Sequence, residues 1–98
     1  MKIKISESTY RDLDDAFVFY EAQEEGLGNY FQDSLFSDID SIMLYAGIHS
    51  IHLNKYRLLS KRFPYAIYYI IKDETIIVSA VLDCRRSPNW IKNKLKNL

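Results

Sequence analysis

Arg57, Lys61 and Arg62, followed later by Arg85, Arg86 and Trp90, are the side chains of this chain best equipped to meet an anion. A guanidinium grips phosphate or carboxylate through a fork of N–H donors, and an indole stacks on a base or fills an apolar pocket. The first group surrounds Arg62-Phe63-Pro64-Tyr65, and the second lies in Asp83-Cys84-Arg85-Arg86-Ser87-Pro88-Asn89-Trp90. Ser87 before Pro88 reads as a helix cap with proline at the first helical position, so peptide N–H donors gather beside the arginine pair. Arg86 is therefore assigned to an anion or an acidic partner. Arg85 has the plainer alternative of pairing with Asp83, and Trp90 the alternative of covering an apolar helix stripe.

The charge distribution points the same way. Residues 1–50 carry 3 Lys+Arg against 10 Asp+Glu, whereas residues 51–98 carry 10 against 3, so a net charge of zero hides two opposed halves. Such asymmetry marks a surface built to meet a polyanion or an acidic partner. Other chemistries find less support. His49 and His52 stand three apart, but a metal site needs further ligands and Cys84 is the only soft one, so neither a metal nor a cofactor is expected. Cys84 reads as a small buried residue at a strand end. A single cysteine cannot form an internal disulfide, which suits a reducing compartment. No signal peptide and no long apolar run are read, so the expected location is cytoplasmic, away from membranes.

The elements that must position these residues are legible from periodicity. Residues 1–98 read as one domain. Lys2-Ile3-Lys4-Ile5 alternates as a short strand with its isoleucines inward. Ser8 or Thr9 reads as the cap of a first helix with Leu13, Ala16, Phe17 and Tyr20 on its apolar face. Gly26-Leu27-Gly28 turns the chain into a second helix, from about Asn29 to Ala46, striped by Phe31, Leu35, Ile39, Ile42 and Met43 and closed by Gly47. So short a turn makes an antiparallel αα-hairpin. Three strands follow, over Tyr56 to Arg62, Tyr65 to Lys72 and Thr75 to Leu82, as an antiparallel meander. In this reading Arg57 and Lys61 share a strand face, and Ile76, Val78, Ala80 and Leu82 all face the helices. A short helix carrying Ile91 and Leu95 ends the chain. The class is α+β: an N-terminal strand, an αα-hairpin packed on an antiparallel sheet in β-α-α-β-β-β order, and a C-terminal helix.

Three segments in that order carry a resemblance: Glu25-Gly26-Leu27-Gly28-Asn29-Tyr30-Phe31, Arg62-Phe63-Pro64-Tyr65-Ala66-Ile67-Tyr68-Tyr69, and Ala80-Val81-Leu82 with Arg85-Arg86-Ser87-Pro88-Asn89-Trp90. The chain resembles the RelE/ParE superfamily of bacterial type II toxins, nearer the ParE-like branch. The resemblance implies a small cytoplasmic growth inhibitor neutralised by a cognate antitoxin protein. The superfamily includes ribosome-dependent mRNA endonucleases and DNA gyrase poisons. The endonuclease branch uses basic side chains with a proton-donating aromatic or histidine near the C-terminus, because attack by a 2′-hydroxyl needs proton transfer and fixed cations. Here Ala66 stands where that branch has an arginine, and Trp90 has no hydroxyl to donate. The expectation is thus a toxin that binds an essential target, DNA gyrase being the one considered, through Arg62, Arg85, Arg86 and Trp90. The alternatives are an mRNA endonuclease acting on the ribosome with Arg57, Lys61, Arg62 and Arg86 as its catalytic candidates, and a non-toxic relative that only binds antitoxin.

Overall fold

Ser6 leaves the first strand extended (φ −67°, ψ 156°), and its Oγ accepts the Thr9 N–H at 3.1 Å, which starts the first helix. Ser6 is thus the cap in place of the expected Ser8 or Thr9, and those two take other tasks. The computed structural model describes residues 1–98 and places them in β1 (Lys2–Ile5), α1 (Glu7–Gln23), α2 (Leu27–Tyr45), β2 (Ser50–His52), β3 (Lys55–Leu59), β4 (Tyr65–Lys72), β5 (Thr75–Asp83) and α3 (Pro88–Lys96). The class is α+β as expected, with one additional short strand, β2.

The helical hairpin closes at Gly26, whose φ of 87° is a left-handed conformation that glycine adopts without strain. Glu21 braces this turn: its carboxylate accepts the N–H of Gly26 at 3.0 Å and of Gly28 at 2.9 Å. Gly28 needs its lack of a side chain, since a Cβ there would stand 2.8 Å from the Phe17 ring.

The sheet runs β1-β5-β4-β3-β2, with β1 parallel to β5 and every other pair antiparallel. On one face Leu13, Ala16, Tyr20, Phe31, Leu35, Ile39 and Ile42 of the hairpin pack against Tyr65, Ile67, Tyr69, Ile76, Val78 and Val81. Met43, expected in this stripe, is exposed. The other face is partly covered. Leu95 of α3 packs on Ala66, Tyr68, Ala80 and Leu82, with Trp90 and Ile91 alongside.

A bulge divides β5 between these faces. Tyr68 pairs with Ala80 while Tyr69 pairs with Val78, which leaves Ser79 unopposed. An extra residue inverts the alternation beyond it. Ile76 and Val78 therefore face the hairpin, but Ala80 and Leu82 face α3, and Val81 takes the inward position assigned to them from the sequence. The outer edge of β5 past the end of β1 is satisfied by α1. Thr9 Oγ1 donates to the Val78 carbonyl at 3.1 Å, Ser6 and Ser8 donate to the Ser79 carbonyl at 3.3 Å each, and the Val81 N–H donates to Asp12 Oδ2 at 3.1 Å. Buried backbone groups need such partners, so the first turns of α1 serve as the missing neighbouring strand.

Candidate functional site

The end of β5 delivers Asp83, and the turn after it delivers the arginine pair. Asp83 takes Arg85 through two parallel bonds, Nε to Oδ1 at 2.9 Å and Nη2 to Oδ2 at 2.8 Å. The Arg85 N–H also donates to Asp83 Oδ1 at 2.8 Å. These bonds hold the Asp83 carboxyl below its ordinary range. Arg85 is thus engaged within its own turn, the plainer of its two readings.

Arg86 is placed differently. Its N–H donates to the Asp83 carbonyl at 3.2 Å, and its guanidinium carbon lies 4.6 Å from the centre of the Trp90 ring. Lys94 Nζ lies 5.6 Å from the same ring, one helical turn further on. Trp90 is fixed in turn by α3, where its N–H donates to the Ser87 capping oxygen at 3.1 Å. The predicted cap at Ser87 with Pro88 inside the first turn is therefore present. Trp90 is half-buried, with its ring at the rim of the α3 cluster.

Arg86, Trp90 and Lys94 form one wall of a groove of about 370 Å³ between α1, β5 and α3. Ala16, Phe19, Tyr65, Val81 and Leu82 supply its apolar surface, and Asp12, Asp15 and Asp83 supply its acidic side. Burial pushes the Asp12 carboxyl above its ordinary range, against the bond from Val81 and the nearby Lys94. Burial likewise pushes the Tyr65 phenol up to about 12, with Tyr20 and Asp83 adding to the shift, so Tyr65 stays protonated at neutral pH. The groove thus offers cations, carboxylates and an aromatic floor within one small space.

Asp12 gives this wall a testable chemistry. Asparagine at 12 keeps an acceptor for Val81, whereas alanine leaves a buried N–H unpaired at a cost of about 1–3 kcal/mol. Asp12→Ala is therefore expected to lower the urea midpoint and Asp12→Asn to preserve it better. The sign with pH follows from the raised folded value. The native state binds the proton more tightly than the unfolded chain, so the wild type gains stability relative to Asp12→Asn as pH falls from neutrality through that raised value. A wild-type midpoint that falls in parallel with the variant would contradict this.

The remaining candidates stand elsewhere. β3 ends at Leu59, so Lys61 does not share a strand face with Arg57. Lys61 and Arg62 lie exposed in the bend between β3 and β4, tied to the helical side of the molecule. Buried Asp38 of α2 accepts Ser60 Oγ at 2.7 Å and the Lys61 N–H at 3.3 Å, and Phe63 packs edge-on against Tyr20 and Phe31. Arg57 is paired in register with Tyr68 and Ser50 on the α3 side of the sheet, two strands from β5 and so about 10 Å across it. Its Nε is buried without a hydrogen-bond partner. Burial raises the Tyr68 phenol while the neighbouring Arg57 acts to lower it. Cys84, expected to be buried, is exposed. Ala66 is fully buried beneath Leu95, so the arginine absent from that position would have no room there.

The site therefore gathers Arg86 and Trp90 with Arg85 beside them, and leaves Arg57, Lys61 and Arg62 in separate settings. The acidic wall of Asp12 and Asp15 is not among the residues that the sequence singles out. A signal was present: Asp12, Ala16 and Phe19 follow one another at helical spacing along the margin of the apolar stripe.

No helix is long and apolar enough to cross a membrane. No family model and no curated protein matches the chain in sequence. Comparison of folds gives a positive result. A solved chain from the chromosomal ParDE TA system from P. aeruginosa superposes with a TM-score of 0.68 at 15% identity, covering 83% of this chain and 92% of that one. The two chains thus share a fold over most of their lengths.

Proposed function

We propose that the chain is the toxin of a type II toxin–antitoxin module, and that it inhibits growth by binding a protein target through the groove bounded by Arg86 and Trp90. DNA gyrase is the proposed target, and a cognate antitoxin the proposed neutralising partner, in the cytoplasm. The mixed sign of the groove carries this reading. A nucleic-acid backbone brought to Arg86 and Lys94 would also meet Asp12, Asp15 and Asp83, and like charges there oppose it. A protein surface can present an acidic group to Arg86, a basic group to the carboxylates and an apolar side chain to Phe19 and Trp90. The fold shared with the ParDE chain supports the toxin–antitoxin context. Induced expression of the chain in a bacterial host is expected to arrest growth, and coexpression of the protein encoded by the adjacent reading frame to restore it. Unimpeded growth at full soluble expression would overturn the toxin reading.

One observation favours a second reading. Arg57 stands half-buried beside Tyr68 on the α3 side of the sheet and makes no ion pair within the chain, a setting in which a phosphate would serve as its counter-ion. An mRNA endonuclease built on Arg57 would leave codon-dependent cuts visible by primer extension on translated messages in arrested cells. Intact messages in those cells would remove it.

A further inference from the structure

The segment from Ser41 to Asn54 contains no Asp, Glu, Lys or Arg, in a chain of which 27% is charged. It is nevertheless a surface. Leu44 is 80% exposed, Ile48 72%, Ile51 63% and Leu53 47%. Exposed apolar residues grouped in this way mark an interaction site. Ile51 lies on β2, which ends the sheet and has no neighbour on its outer side, and Ile48 and Leu53 flank that strand in the chain. The opposite edge, β1, is Lys2-Ile3-Lys4-Ile5, and lysines on an edge strand oppose pairing with another chain. β2 carries no such charge.

The hairpin geometry says which backbone groups are free. Leu53 and Asn54 have φ of 51° and 63°, the conformation of a two-residue type I′ turn. Across such a turn His52 and Lys55 exchange backbone hydrogen bonds, and the next pair, Ile51 with Tyr56, does not. The N–H and C=O of Ile51 therefore point outward, away from β3. A donor and an acceptor on one residue at the middle of a three-residue strand form a self-complementary unit. We propose that two copies of this chain join antiparallel at β2, about a two-fold axis through Ile51, so that their five-stranded sheets become one.

In that arrangement each Ile51 N–H donates to the Ile51 carbonyl of the other copy, and Ser50 of one copy stands opposite His52 of the other. These side chains suit each other, since Ser50 Oγ and His52 Nε2 already lie 3.2 Å apart within one strand. A second copy is the occupant that the charges favour. A phosphate backbone or a strongly charged peptide would find no ionic partner between Ser41 and Asn54. A second copy brings the same uncharged apolar surface, and a chain of zero net charge meets no long-range repulsion from itself.

Sedimentation equilibrium of the 98-residue chain tests this without reference to toxicity. The expected mass is twice 11.6 kDa at micromolar concentrations. Ile51→Lys, which places a charge at the axis, is expected to give a monomer with the wild-type far-ultraviolet circular dichroism. Ile51→Pro removes an N–H that β3 does not use, and is expected to do the same. If Ile51→Pro proves unfolded, Ile51→Lys alone decides, because that side chain is exposed in the single chain. A wild-type chain that is monomeric throughout would overturn the proposal. So would a dimer that survives Ile51→Lys, or one that dissociates instead when Lys4 on the opposite edge is changed to glutamate.

Discussion

Replacing Phe31 by alanine is expected to cost about 3–5 kcal/mol and to lower the thermal midpoint by more than about 12 °C. Phe31 is fully buried and lies where both helices meet the sheet. Its ring stacks on Tyr20 at 5.0 Å and meets Phe63 and Tyr65 edge-on at 4.9 and 5.0 Å. No single neighbour can fill the space its ring leaves, because these rings already touch one another: Tyr20 meets Phe63 at 5.0 Å. The loss is a large part of the roughly 5–15 kcal/mol that stabilises a domain. Phe19→Ala is the matched comparison, since that ring is half exposed on α1 and its removal is expected to leave the midpoint nearly unchanged. Similar midpoints for the two variants, read by circular dichroism on heating, would contradict this account of the core.

Arg86→Ala is expected to retain the fold and lose growth arrest. The Arg86 guanidinium makes no ion pair within the chain and lies against the Trp90 ring, whereas Arg85 spends its fork on Asp83. A buried arginine or tryptophan at the centre of an interface typically costs 2 kcal/mol or more when truncated, which is roughly a 30-fold loss of affinity. Arg85→Ala removes an exposed ion pair worth at most about 1 kcal/mol to the fold, and it is expected to weaken arrest less. Colony counts after induction, with soluble expression matched, compare the two. Full arrest by a folded Arg86→Ala variant would remove the groove from the proposal.

The helical hairpin was readable because the apolar positions from Leu13 to Tyr20 and from Phe31 to Ile42 keep a helical period, and Gly26 marks the break. The meander was readable because Tyr65 to Leu82 is one β-prone run broken at Asp73-Glu74. β2 was not, because its turn is Leu53-Asn54 and lacks the glycine that usually marks a type I′ hairpin; Leu53 takes a positive φ of 51° instead. The Ser79 bulge has no local signal, since it is set by the pairing of β5 with β4 and by the hydroxyls of α1 that cover its edge. That bulge decides which residues reach α3, so the inward set on β5 could not be read correctly from alternation alone. The cations were visible as residue types, but their grouping was not. Lys61 falls in the expected strand by its sequence, but Asp38, 23 residues earlier on α2, takes the Ser60 hydroxyl and the Lys61 N–H and holds that stretch in a bend after β3.

The proposed function is engagement of a protein target, DNA gyrase, through the Arg86–Trp90 groove. Supercoiling of relaxed plasmid by purified gyrase, with the folded chain added in increasing amounts, tests it most directly. The wild-type chain is expected to block supercoiling, and Arg86→Ala to fail to do so at matched concentration. Supercoiling that proceeds unchanged in the presence of excess folded wild-type chain would contradict it.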